Sequence, residues 1–155
     1  MALSQTTLKD SLVSMLYPGQ ADPTGALASA FGAYMTQATG ILPAGIAAAV
    51  TAMKNAMSFS DDMTAAQGAS QFGSGVGAFW AAMVAAPATY FTGATVITPP
   101  STAAMVSALE ADFPVNTSGD ATLAEAMDAI ATSMHAGTVG LGSYTVPPAG
   151  PTAIV

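Results

Sequence analysis

From Gln71 to Pro100 the chain reads QFGSGVGAFWAAMVAAPATYFTGATVITPP, thirty residues without a charge that hold its one tryptophan and three of its six phenylalanines. Such a stretch cannot stay in water, so the rest of the chain must fold around it. Phe72, Val76, Phe79, Trp80, Met83 and Val84 fall at i, i+4, i+7, i+8, i+11 and i+12, the stripe of an amphipathic helix, here the central one. Gly73, Gly75 and Gly77 lie between the stripe positions. Each costs a helix about 1 kcal/mol relative to Ala, and close approach of a neighbouring backbone is the expected compensation.

Charge narrows the reading further. Two lysines, Lys9 and Lys54, face nine carboxylates and no arginine, for a net charge of −7 over 155 residues. So few cations cannot track a phosphate backbone or hold an anionic lipid surface, which excludes nucleic acid and membrane surfaces as direct partners. With no cysteine, disulfides and thiolate metal sites are excluded too. Charged residues make up 7% of the chain, against roughly 25% in ordinary soluble domains. A surface that hydrates this weakly is expected to be covered by other chains, as in a subunit of an assembly.

The uncharged runs, Met63 to Leu109 and Pro23 to Met53, are long enough to span a bilayer. Their apolar residues form stripes rather than coats, Gly and Pro interrupt every run, and no Lys or Arg cluster sets an orientation. The opening MALSQTTLKD has no basic stretch followed by an apolar one, so a secretory signal is not expected.

The length fits one domain. The pattern predicts five to six helices over residues 1–137 and an extended C-terminal arm over 138–155: a mainly α helical bundle. A first helix, capped by Ser4 or Thr6, buries Leu8, Leu12, Met15 and Leu16 and stops at Tyr17-Pro18-Gly19. A second starts at Asp22-Pro23-Thr24 and presents Leu27, Ala30, Phe31, Tyr34, Met35 and Ala38 as far as Gly40. After Ile41-Leu42-Pro43, a third runs from Ala44 to Met57 on Ile46, Val50, Met53 and Met57, with Lys54 complementing its C-terminal dipole. Ser60 is the expected N-cap of the next, with Asp61 and Asp62 in its first turn, and the central helix ends before Pro87. Residues 88–100 read as an extended or irregular connection.

Beyond it, Ser101 or Thr102 caps a helix on Met105, Val106, Leu109 and Phe113 that ends before Pro114, with a loop over residues 115–119. Thr122 and Glu125 form a capping-box pattern for the last helix, on Leu123, Met127, Ile130 and Met134, with Gly137 as its C′ residue. FGAYM-ILP-PAGIAAAVTAM and GAFWAAM-VITPP-STAAMVSAL echo one another, which suggests two αα-hairpins of similar design.

Signs of chemistry are few. His135, the single histidine, ends the last helix and has Asp128 two turns back as its nearest orienting acid. It reads as a cap or interface residue. Asp61-Asp62, Glu110-Asp112 and Glu125-Asp128 read as helix-end or solvated charges rather than as a carboxylate pair or metal site. GSGVG at Gly73 to Gly77 lacks the Lys-Ser/Thr of a phosphate loop and does not follow a strand. The ten methionines are adaptable core filler. No catalytic, cofactor-binding or metal-ligating residue is expected.

GAFWAAMVAAPATYF, the TPP after it, AEAMDAIATSMHAGTVG and the closing VPPAGP resemble small Ala/Gly/Thr-rich virion structural proteins of tailed bacteriophages, mainly over the C-terminal half. The resemblance implies a non-enzymatic subunit of a capsid, neck, tail or baseplate that assembles with copies of itself and other virion proteins. It carries no functional residue to any position here. The alternative is a membrane-active phage protein such as a holin. A third reading, a small helical enzyme, requires a pocket that gathers His135, Tyr90 or Tyr144 and a carboxylate.

Overall fold

The computed structural model describes residues 2–15, 20–60, 62–117 and 123–155. Its helices are α1 (Gln5–Met15), α2 (Pro23–Met35), α3 (Pro43–Ala56), α4 (Ala65–Ala85), α5 (Pro87–Tyr90), α6 (Ala103–Thr117) and α7 (Leu123–Ala136). Three short strands, β1 (Val96–Thr98), β2 (Ser143–Thr145) and β3 (Pro151–Ala153), complete it. The chain is a mainly α helical bundle. Six helices close a ring in which α1 packs on α2, α2 on α3, α3 on α4, α4 on α6, α6 on α7 and α7 on α1. The two hairpins suggested by the sequence echo, α2–α3 and α4–α6, are adjacent in that ring.

α4 supplies the centre. Phe79 is fully buried, Trp80 is 1% exposed, and Phe72, Val76 and Met83 join them. Phe79 meets Phe31 of α2 edge-on at 5.1 Å, a favourable geometry for two rings. Val84, the last residue of the predicted stripe, is 41% exposed instead. All six residues predicted for α2, Leu27 to Ala38, are buried.

The glycines of α4 are compensated differently from expectation. A Cβ on Gly73 would collide with Val106 of α6, and one on Gly75 would lie 2.6 Å from Met57 Sδ. Side chains, not backbone, occupy the space these glycines leave. A Cβ on Gly77 would meet nothing. Backbone does approach closely at Gly45 of α3, against the carbonyl of Thr89.

Several boundaries move. Asp22 caps α2, accepting from Gly25 N–H at 2.9 Å, with Pro23 in the first turn. Ser4 Oγ accepts weakly from Thr7 N–H at 3.4 Å ahead of α1. The N-cap of α4 is Thr64, not Ser60. Its hydroxyl accepts from Gln67 N–H at 3.2 Å and Gln67 Oε1 accepts from Thr64 N–H at 2.9 Å, a reciprocal pair that satisfies two orphan donors where Ser60 alone satisfies one. Residues 87–90 form a helical turn rather than an extended connection. α6 passes through Pro114 to Thr117, so residues 115–117 are helix and not loop. Proline removes one N–H from the ladder, but its fixed φ is a helical one, and three more residues continue.

At the end of α7 the left-handed residue is Gly140, with φ +69°, rather than Gly137. Gly137 N–H still donates to Ser133 C=O at 3.0 Å, and its glycine is required because a Cβ would lie 2.7 Å from Met105 Cβ. Leu16, Tyr17-Pro18-Gly19, Asp61, Ser118-Gly119, Thr122 and the side chains of Phe113 and Leu123 lie outside the described residues.

The segment expected to extend as an arm folds back. β2 pairs antiparallel with β1 (Ile97 opposite Tyr144) and with β3 (Tyr144 opposite Thr152). Ile154 is fully buried in the main core, and the ring of Tyr144 stacks on Phe91 at 4.1 Å. Thr39 N–H donates to Val155 C=O at 3.3 Å and Leu42 N–H to Tyr90 C=O at 2.7 Å. The sheet and α5 therefore close the end of the bundle where α2 turns into α3, α4 ends, α6 begins and α7 ends.

Candidate functional site

His135, at the C-terminus of α7, shares a hydrogen bond with Tyr34 of α2, Nδ1 to Oη at 2.8 Å. The rings meet edge-on. Burial lowers the His135 pKa and raises that of Tyr34, so both are neutral near pH 7. Among the described residues, the hydrogen-bond partner of the imidazole is this tyrosine and not a carboxylate. Asp128 instead pairs with Lys9 of α1 at 3.4 Å, and Asp112 accepts from the buried hydroxyl of Ser133 at 2.7 Å. Tyr90 is buried at the end of α5, and Tyr144 lies in the sheet against Phe91. Among the described residues, His135 hydrogen-bonds Tyr34 rather than Tyr90, Tyr144 or a carboxylate. The pair His135–Tyr34 ties α7 to α2.

Among the described residues, no three His, Cys, Asp or Glu side chains are grouped as a metal ion would need. No helix among them is long and apolar enough to cross a membrane. Gly73 to Gly77 sit inside α4, where their backbone N–H groups belong to the helix ladder rather than to a phosphate cradle.

The distribution of charge over the bundle is asymmetric. Lys54 near the end of α3 donates to the Asp22 carboxylate at the start of α2, and this holds the exposed carboxyl down at a pKa of about 2. Asp62 lies just before α4, at the end away from the sheet; Glu110 and Asp112 lie in the middle of α6, Glu125 and Asp128 in the first half of α7, and Lys9 and Asp10 on α1. α4, α5 and all three strands carry no charged residue. The four large hydrophobic residues that stand exposed among the described residues all belong to this uncharged part: Val84, Val96 at 53%, Leu141 at 55% and Val155.

Strand register defines one uncharged surface there. Val96, Thr145 and Pro151 lie in one cross-strand row and Thr98, Ser143 and Ala153 in another, both on the face opposite the buried Ile97. Beside it runs a groove of about 480 Å³ between Gly77, Trp80, Ala81 and Val84 of α4 and the stretch Pro99 to Thr102. The indole Nε1–H of Trp80 is buried and has no hydrogen-bond acceptor, alone in this respect among the described side-chain polar atoms. Sequence reasoning placed Trp80 in the core and missed the groove. Its signals were Val84, which extends the stripe beyond what the bundle covers, and Gly77, which no neighbour in the fold requires.

Comparison with family models, with curated proteins and with solved structures gives no match.

Proposed function

We propose that the protein is a structural subunit of a tailed-bacteriophage virion, acting by protein–protein assembly with copies of itself and with other virion proteins. The observation that carries this reading is the uncharged end of the bundle, where the exposed hydrophobic residues collect. Exposed apolar surface on one side of a fold whose charges lie elsewhere is the pattern of a surface buried in an assembly. The resemblance of the C-terminal half to small virion proteins supplies the kind of assembly. The role needs no catalytic residue, cofactor or metal, and neither nucleic acid nor a lipid bilayer as a partner.

The test is particle composition. Phage particles purified from the host that carries the gene are expected to contain the chain in fixed multiple copies per particle, measured by quantitative mass spectrometry. Its absence from particles, with recovery in the inner-membrane fraction of the host, would replace this reading with the membrane-active one.

A further inference from the structure

Tyr34 and His135 join two helices that are not neighbours in the ring, since α1 stands between α2 and α7. Tyr34 is fully buried, and among the described residues its hydroxyl is bonded to Nδ1 of His135 alone, at 2.8 Å. A neutral imidazole accepts there, with the tyrosine donating and the ring's own proton on Nε2. An imidazolium carries a proton on both nitrogens and cannot accept. Nδ1–H then faces the tyrosine oxygen, and the Tyr34 O–H is left buried without an acceptor.

Both partners adjoin the C-terminal segment. The carbonyl of His135 accepts from Thr138 N–H at 3.0 Å and from Val139 N–H at 2.9 Å, and Thr138 is fully buried with its hydroxyl on the Met134 carbonyl. Just beyond Tyr34, Thr39 N–H donates to Val155 C=O at 3.3 Å. Gly40 comes so close to Tyr144 that a Cβ would lie 2.8 Å from its Oη. The ends of α2 and α7 thus form the seat of residues 138–155, and Tyr34–His135 is a side-chain bond between them.

We propose that this pair is an acid-released latch: protonating His135 loosens residues 138–155 from the end of α2 before the helices open. The latch works within a single chain and is independent of the assembly reading. Three-residue strands, one of them exposed along its whole length, are the part of the fold with least to lose on opening. The C-terminal end of α7 favours a cation, but burial outweighs it and lowers the His135 pKa, which couples protonation to opening. The charged groups on the elements packed around the pair are engaged elsewhere or exposed. On α1, Lys9 pairs with Asp128 of α7 and Asp10 is exposed; on α6, Asp112 accepts from Ser133 and Glu110 is exposed. On α3, Lys54 pairs with Asp22, and Glu125 is exposed at the start of α7. Tyr90 is buried at the end of α5 and Tyr144 stacks on Phe91. Among the described groups at this junction, His135 is the one that titrates between pH 7 and pH 5.

Hydrogen exchange read by mass spectrometry from pH 7 to pH 5, at one protein concentration and with rates corrected for their intrinsic pH dependence, tests the latch. In the wild-type chain, protection of peptides from residues 138–155 is expected to fall about tenfold more than that of α3 and α4, with its midpoint at the His135 titration followed by imidazole NMR. His135→Asn places near the Nδ1 position an amide oxygen that accepts from Tyr34 and does not titrate. This variant is expected to keep its protection at pH 5. Tyr34→Phe removes the hydroxyl that acid orphans, and is expected to show lower protection at pH 7 with less than about a threefold further fall. No fall in the wild type, an equal fall in the helices, or an undiminished fall in His135→Asn would overturn the latch. So would an undiminished fall in Tyr34→Phe, because burial of the histidine, and not its bond to the tyrosine, would then be what senses the acid.

Discussion

The two ends of the bundle solve the same problem in different ways. Away from the sheet, charged side chains find partners in the chain itself: Lys9 with Asp128 and Lys54 with Asp22. At the sheet end, Trp80 keeps a bare N–H, Gly77 faces open space, and Val96 and Leu141 stand more than half exposed. Among the described residues of the first region, these ion pairs close within the chain. The second has the apolar exposure that the proposed assembly contact would cover.

The largest effect is expected from removing the C-terminal segment. Truncation after Gly137 strips two of three strands and the fully buried Ile154. The loss should exceed the roughly 2–5 kcal/mol of deleting one buried Ile side chain, and the shortened chain should show no cooperative urea transition. A cooperative transition of wild-type midpoint would mean that residues 138–155 form a separable arm.

Opposite signs are expected at two glycines two turns or less apart on α4. Gly73→Ala drives a methyl into Val106 and should destabilise by about 1–3 kcal/mol. Gly77→Ala fills open space and should stabilise the monomer by about 1 kcal/mol. Urea midpoints of both variants decide it; a destabilised Gly77→Ala chain would count against open space beside Gly77.

A smaller effect concerns pH. Because burial lowers the folded-state pKa of His135 below its unfolded value near 6.5, the unfolded chain takes up the proton first as pH falls. Stability is then present above about pH 6.5 and decreases below it, until the folded-state pKa is passed. The urea midpoint should fall between pH 7 and pH 5, and His135→Gln should remove that part of the slope. Asp22 acts in a separate, more acidic window, from its ordinary 3.8 down to about 2. Its paired form contributes above that window and is lost on passing down through it. Lys54→Ala should move the Asp22 titration, followed by carboxyl NMR, back toward the ordinary value.

Much of the fold is legible in the sequence because the helices carry clear stripes. Leu27 to Ala38 and Phe72 to Met83 are periodic enough to identify both a helix and its buried face. The misplaced boundaries share a cause, since they depend on reciprocal or nonlocal partners. Thr64 outdoes Ser60 because Gln67 answers it, and Pro114 does not stop a helix that can spare one donor. The C-terminal segment shows its lack of helix in its Gly and Pro content, but its pairing with β1, some fifty residues earlier, is set by tertiary register that no local pattern carries. The pairing of Asp128 with Lys9 is a contact across 119 residues of sequence, which no local pattern carries. The uncharged end was visible as two long uncharged runs; that they meet on one side of the molecule was not.

The account rests on the sheet end being the surface that other copies cover. Hydrogen exchange of the wild-type chain, followed by mass spectrometry at rising protein concentration, tests this directly. Protection is expected to grow with concentration in peptides containing Gly77 to Val84, Val96 to Thr102 and Val146 to Pro151, and to stay constant in α1 and α7. Protection that does not change with concentration anywhere, or that grows in α1 and α7 instead, would contradict it.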